Sequence, residues 1–151
     1  MDTCVQFSVF LNNKPGVLTQ VFHELGKAKV NIITISMMDS TEHSVLRMIV
    51  SNPESAREVF THINVPVRES DVLAVTLPNR PGAVADLCDR LSASHINIGY
   101  MYCTGGARGG KSTVVLKVPD NKKAMRILDG NRQQRRDMKV KLRRPAARVR
   151  H

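Results

Sequence analysis

Val5, Phe7, Val9 and Leu11 alternate with Gln6 and Ser8, the two-residue period of a half-buried strand. Val17, Leu18, Val21, Phe22 and Leu25 then recur at helical spacing as one apolar stripe, which Gly26 is expected to end or weaken. The β-branched run from Val30 to Met38 predicts a second strand, Asp39 to His43 a turn, and Ser44 to Val50 a third strand paired with the second as a hairpin. Asn52-Pro53-Glu54 has the chemistry of a helix start: a side-chain cap, a proline whose missing N–H is no loss in the first turn, and an acid favoured by the helix dipole. Ala56, Val59 and Phe60 face inward on that helix. Val65 to Glu69 fits a fourth strand, where Pro66 argues for an edge position or a bulge. The order is β-α-β-β-α-β, which implies an antiparallel sheet of the ferredoxin-like type with its helices on one face.

The plan then repeats. Asn13-Lys14-Pro15-Gly16-Val17-Leu18 is echoed 66 positions later by Asn79-Arg80-Pro81-Gly82-Ala83-Val84, each copy leaving an alternating run and opening an amphipathic one. Val72 to Leu77 predicts a strand, Val84, Leu87, Cys88 and Leu91 the buried stripe of a helix, and Ile96 to Cys103 and Ser112 to Val118 two more strands. Asp120 caps a helix whose inner face is Ala124, Ile127 and Leu128, and Met138 to Leu142 alternates as a last strand. The fold class is therefore α+β, with two ferredoxin-like modules over residues 1–69 and 70–142. Only Ser70 and Asp71 separate the strands at the join, so the modules are expected in a fixed relation.

Charge changes this picture only at the end of the chain. Of a formal net charge of +10 over 151 residues, the stretch from Asp129 onward carries nine Lys/Arg against two acids. Residues 143–151 read as a basic, disordered tail. Cys4, Cys88 and Cys103 are odd in number and lack CxxC spacing, which points to a reduced, cytoplasmic setting. No secretory signal and no run of about 18 apolar residues is evident. His23, His43, His62 and His95 show no metal-ligand spacing, so neither a metal nor a cofactor is expected.

Two motifs invite chemistry. Gly105 to Ser112 satisfies GxxxxGK[ST], a phosphate-binding pattern that works only where the loop feeds a helix. The β-branched run Thr113 to Val118 follows it instead, so the glycines fall in a hairpin turn. The paired Pro-Gly turns carry more weight. Gly16 and Gly82 let a ligand approach the backbone, free amides at each helix start suit a small carboxylate, and Asn13, Asn79, Asn31 and Asn97 offer side-chain amides to a zwitterion.

The repeated turn, the helix behind it, the Val30-Asn31-Ile32 and Ile96-Asn97-Ile98 strand openings and the element order resemble the ACT domain, here as a tandem pair covering roughly Cys4 to Leu128. That resemblance implies a regulatory module binding an amino acid where two such domains meet. The pocket it implies uses the strand-to-helix loop of one domain and the second-strand start of its neighbour. In the first module those positions are Asn13, Pro15, Gly16, Val17, Leu18, Asn31 and Ile32; in the second they are Asn79, Pro81, Gly82, Ala83, Val84, Asn97 and Ile98. No catalytic residues are expected. The expected partners are a small amino acid, a second copy of the chain and a regulated metabolic enzyme, without membrane attachment. The alternative is a nucleic-acid-associated regulator using Arg132, Arg135, Arg136 and the arginines beyond, through nonspecific attraction. An RNA-recognition sheet is poorly supported, since the chain has no Trp and offers only Tyr100 and Tyr102 on a strand.

Overall fold

The computed structural model describes residues 1–38, 43–106 and 110–130. Strands β1 (Asp2–Asn12), β2 (Ile32–Met38), β3 (His43–Val50), β4 (Val67–Pro78), β5 (Tyr100–Thr104) and β6 (Lys111–Lys117) form one antiparallel sheet in the order β2-β3-β1-β4-β6-β5. Helices α1 (Val17–Lys27), α2 (Pro53–His62) and α3 (Ala83–Ala93) are joined by α4 over residues 121–130. The expected last strand at Met138 to Leu142 and the basic tail lie outside the described residues, as do residues 39–42 of the expected β2–β3 turn.

One correction reshapes the join. Two strands were expected, Val65 to Glu69 and Val72 to Leu77, but β4 runs unbroken from Val67 to Pro78. β1 pairs with its first part, from Val67 to Ala74, and β6 with its second, from Leu73 to Pro78. Ser70 and Asp71 stay in register opposite Gln6 and Val5, so no bend interrupts the ladder. Pro66 precedes the strand, where its carbonyl accepts the Phe10 N–H at 3.0 Å and its missing N–H falls outside the pairing. β4 is thus central and not an edge, and the expected boundary between residues 69 and 70 falls inside it.

The alternation of β1 decides which residues meet the helices. Phe7 and Val9, with Leu46 and Met48 of β3, are buried beneath Val21 and Leu25 of α1 and Ala56 and Phe60 of α2. The Phe7 and Phe60 rings sit 5.3 Å apart in a tilted pair, within the range aromatic pairs favour. A second core joins Leu73, Val114 and Leu116 to Leu87 and Leu91 of α3 and Ala124 and Leu128 of α4. Asn52 caps α2 by accepting the Ser55 N–H at 3.1 Å, and Asp120 accepts that of Lys123 at 2.9 Å, both as expected.

Several local expectations differ. Gly26 lies within α1, which ends through Lys29 in a left-handed conformation, with the Val30 N–H donating to Leu25 O. Asn64 and His95 end α2 and α3 in the same way. Val84 is exposed, because Ala83 takes the inward position on α3. On α3 the Arg90 guanidinium donates to the carbonyls of Ile127 and Leu128, satisfying the open end of α4. β5 begins at Tyr100 and not at Ile96, since its partner β6 runs out at Lys117 and Pro119 beyond it has no N–H to donate.

The face of the sheet away from the helices is also covered. Ile49, Val72 and Val115 form a third buried cluster with Cys4 and Tyr102 against it, and the outer strands β2 and β5 come into contact. The sheet therefore folds its two halves together. Gln6, fully buried on β1, bridges the seam: its Nε2 donates to the Tyr100 hydroxyl at 2.6 Å, and the Tyr102 hydroxyl donates to its Oε1 at 2.9 Å. Arg47 of β3 lies over the Tyr100 ring, 4.1 Å from its centroid. Sequence alternation marks Gln6 as outward, which holds for a lone module but not for two halves face to face.

Phe60→Ala and Leu91→Ala sit in different cores but under one shared strand. Each is expected to lower stability by roughly 2–5 kcal/mol and to shift the same single unfolding transition in denaturant. Two separable transitions would contradict a common β4. Burial pushes the Tyr102 phenol above its ordinary value, the Thr34 hydroxyl pulling more weakly the other way. That contribution is fully present below the unfolded tyrosine value of about 10 and is lost as pH rises through the folded one. Tyr102→Phe should cost about 1–3 kcal/mol at neutral pH by stranding Gln6, and should flatten the alkaline fall in melting temperature seen in the parent.

Candidate functional site

Each Pro-Gly bend is built the same way. β1 ends at Asn12, Lys14 N–H turns back to Asn12 O at 2.8 Å, and Gly16 enters α1 at φ 88° with its carbonyl accepting from Gln20 N–H. Sixty-six residues on, Arg80 N–H turns back to Pro78 O at 2.9 Å and Gly82 enters α3 at φ 81°. Both glycines occupy the left-handed region that other residues enter at a cost. Neither helix has a side-chain cap; Val17 and Ala83 N–H turn back to the carbonyls of Lys14 and Arg80, and the next amides of the first turn stay open.

The two bends differ in what surrounds them. The first lines a cavity of about 360 Å³ that brings together Asn13, Pro15, Gly16 and Leu18 of the expected site. Leu11, Asn12, Lys14, Met37 and Ser44 complete its wall, none of them foreseen as site residues. Register accounts for the last two: Ser44 lies opposite Leu11 on β1, and Met37 opposite Leu46 on β3. Val17 packs instead against the first core. α1 carries no acid in its first turn, so nothing there pre-empts an anion.

The second bend is occupied by the protein itself. Asn79 donates from Nδ2 to Gly106 O at 2.9 Å and from its backbone N–H to Gly110 O at 2.8 Å, tying the bend to the glycine-rich hairpin. Gly106 is required there, because a Cβ would meet Lys111 O at 2.1 Å. Arg80 folds over its own turn, donating to Pro81 O and, at 2.8 Å, to the carboxylate of Asp86 in the first turn of α3. Ala83 is buried and Val84 points outward. The phosphate-loop pattern fails as expected, since Lys111 and Ser112 open β6.

Neither strand opening adjoins the bend of its own module. Ile32 is five residues from Met37 along β2, roughly 17 Å at strand spacing, and Asn31 is bonded to Ser51 at that far end. Asn97 and Ile98 precede β5 at its Lys117 end, whereas the second bend adjoins Lys111 at the other end of β6.

Another hollow, about 470 Å³, lies between α1 and α2 with Glu24, Lys27, Glu58 and His62 on its wall. Lys27 donates to Glu24 at 2.6 Å and holds that carboxyl below its ordinary value, so these two charges already have each other as partners. Among the described residues no three His, Cys, Asp or Glu side chains gather as metal ligands, and no helix is long and apolar enough to cross a membrane.

Two βαββα runs that share β4 in one sheet, each with a glycine bend at a helix start, define a class. The family model for the ACT domain pair matches residues 2–137, and the chain belongs to that family. Among solved structures it is similar to a protein from Bacteroides thetaiotaomicron, at 31% identity with a TM-score of 0.81, covering 86% of this chain and 89% of that one. It shares its fold with the regulatory subunit of aspartate kinase from Thermus thermophilus, at 13% identity and a TM-score of 0.62 over 85% of this chain and 91% of that one. The corresponding Thermus flavus subunit aligns at 14% identity and a TM-score of 0.56 over 86% and 92% of the two chains. Comparison with curated proteins finds no match. ACT domains are regulatory and not catalytic, and a small-molecule-binding regulatory role follows from that membership.

Gly16→Ala meets no atom within 4 Å, so its cost is purely conformational. It should lower stability by about 1–2 kcal/mol, read by denaturant unfolding, while leaving the circular dichroism spectrum unchanged.

Proposed function

We propose that the chain is a cytoplasmic amino-acid sensor whose working site is the first bend, and that it regulates a metabolic enzyme as a separate subunit. The observation that carries this reading is the asymmetry of the bends. In the second, Arg80 and Asp86 already supply a cation and a carboxylate to the helix start. In the first, Asn13 and Lys14 have no such partners among the described residues, beside a cavity whose size falls in the range of small-molecule sites. A ligand carboxylate there would meet Lys14 and the open amides of α1, and its ammonium the neutral oxygens of Asn13 and Ser44.

A second copy of the chain completes the site in this reading. β2 is an outer strand with Ile33, Ile35, Met37 and Met38 exposed, a strip of the kind that marks an interface. Antiparallel pairing of two β2 strands about a twofold axis would carry one copy's Asn31 and Ile32 toward the other's Met37. That would place each copy's strand opening beside the other copy's first bend. The nucleic-acid alternative rests on residues outside the described ones and gains no support from the site.

A thermal-shift screen of the twenty amino acids should single out one or a few. Saturation at about 100 times the dissociation constant adds roughly 2.7 kcal/mol. Light scattering should report a dimer, and Ile35→Lys should abolish dimer and ligand response together. A monomeric parent, or no response to any amino acid, would defeat the corresponding half of the reading.

A further inference from the structure

The cavity at the first bend has two unlike ends. Lys14, Asn12, Asn13 and Ser44 gather polar groups beside the helix start, while Leu11, Leu18 and Met37 supply hydrocarbon and a thioether. None of the nine residues described on its wall is acidic. Leu11 is buried and Leu18 leans on the first core, so both are fixed surfaces. Met37 is 48% exposed, a large apolar side chain left in water at the mouth.

We infer that this site, granted the amino-acid reading above on which this rests, selects a ligand with an uncharged, apolar side chain, and that Met37 sets the preference. With Lys14 engaged by the ligand carboxylate, a second positive charge on the ligand would find no counter-ion among the described lining residues. A hydroxyl pressed on Leu11 and Leu18 would lose its water without a replacement partner. A hydrocarbon chain lying between Leu18 and Met37 would instead remove three apolar surfaces from water at once. Methionine suits that role because its flexible thioether moulds to chains of different shape. The second bend does not offer the same surface, because Arg80 covers its turn and is paired with Asp86.

Isothermal titration of the full chain separates the outcomes, using L-alanine, L-2-aminobutyrate, L-norvaline and L-norleucine against L-serine, L-threonine and L-lysine. Affinity should climb about fourfold per added methylene until the cavity is filled. 2-Aminobutyrate should exceed serine, and norleucine should exceed lysine. Met37→Glu, at a half-exposed position that leaves the core intact, should reverse the order of norleucine and lysine. A flat aliphatic series, or tighter binding of serine or lysine by the parent, would overturn the inference while sparing the amino-acid reading. Silence from every compound would overturn the inference, and the screen of all twenty amino acids decides whether the amino-acid reading falls with it; an unchanged order in Met37→Glu would remove Met37 from the role.

Discussion

The whole architecture depends on β4 having both of its hydrogen-bonding edges engaged by different parts of the chain. β1 takes one edge from Val67 to Ala74 and β6 the other from Leu73 to Pro78, overlapping at Leu73 and Ala74. Backbone groups buried at that crossing have no water to turn to, so the ladder must continue through it. Two units that would each be marginal at their size are thereby cemented into one sheet. Everything else follows the fold-over that this imposes: helices outward, Gln6 and the two tyrosines inward, and the bends at the rim.

Duplication left two bends of one geometry with different chemical fates. Backbone demands are shared, as Gly16 and Gly82 and the left-handed Lys29 and His95 testify. Side chains are not. Replacing the lysine of the first turn by arginine and adding an acid at the first turn of α3 converts an open cationic rim into a closed internal pair. The charge that a ligand would bring to one copy is carried permanently by the other.

Local features were readable from residues alone. The caps at Asn52 and Asp120, the bends, and the apolar stripes of the helices follow from short-range chemistry, and the repeat made the class plain. Long-range features were not. Alternation says that Gln6 faces away from Phe7, but only the fold-over says that Tyr100 and Tyr102 await it. The pattern around Ser70 and Asp71 is compatible with a turn or with extended chain, and pairing on both sides chose the latter. Asn31 and Ile32 were assigned by family likeness to a pocket facing a neighbouring domain's bend, and the length of β2 separates them from the bend of their own module. Met37 and Ser44 reach the cavity through strand register, which is a property of pairs of strands and invisible in either one.

The continuous β4 also governs how this chain can be dissected. Severing it between residues 69 and 70 would not release two half-proteins: it would divide a strand in mid-ladder and leave Asp2–Cys4, which belong to the first half, without the Val72–Ala74 edge they cover. Fragments cut there would expose complementary, apolar strand edges. Their natural tendency would be to find each other again, so fragments cut there would behave as split-protein reconstitution partners.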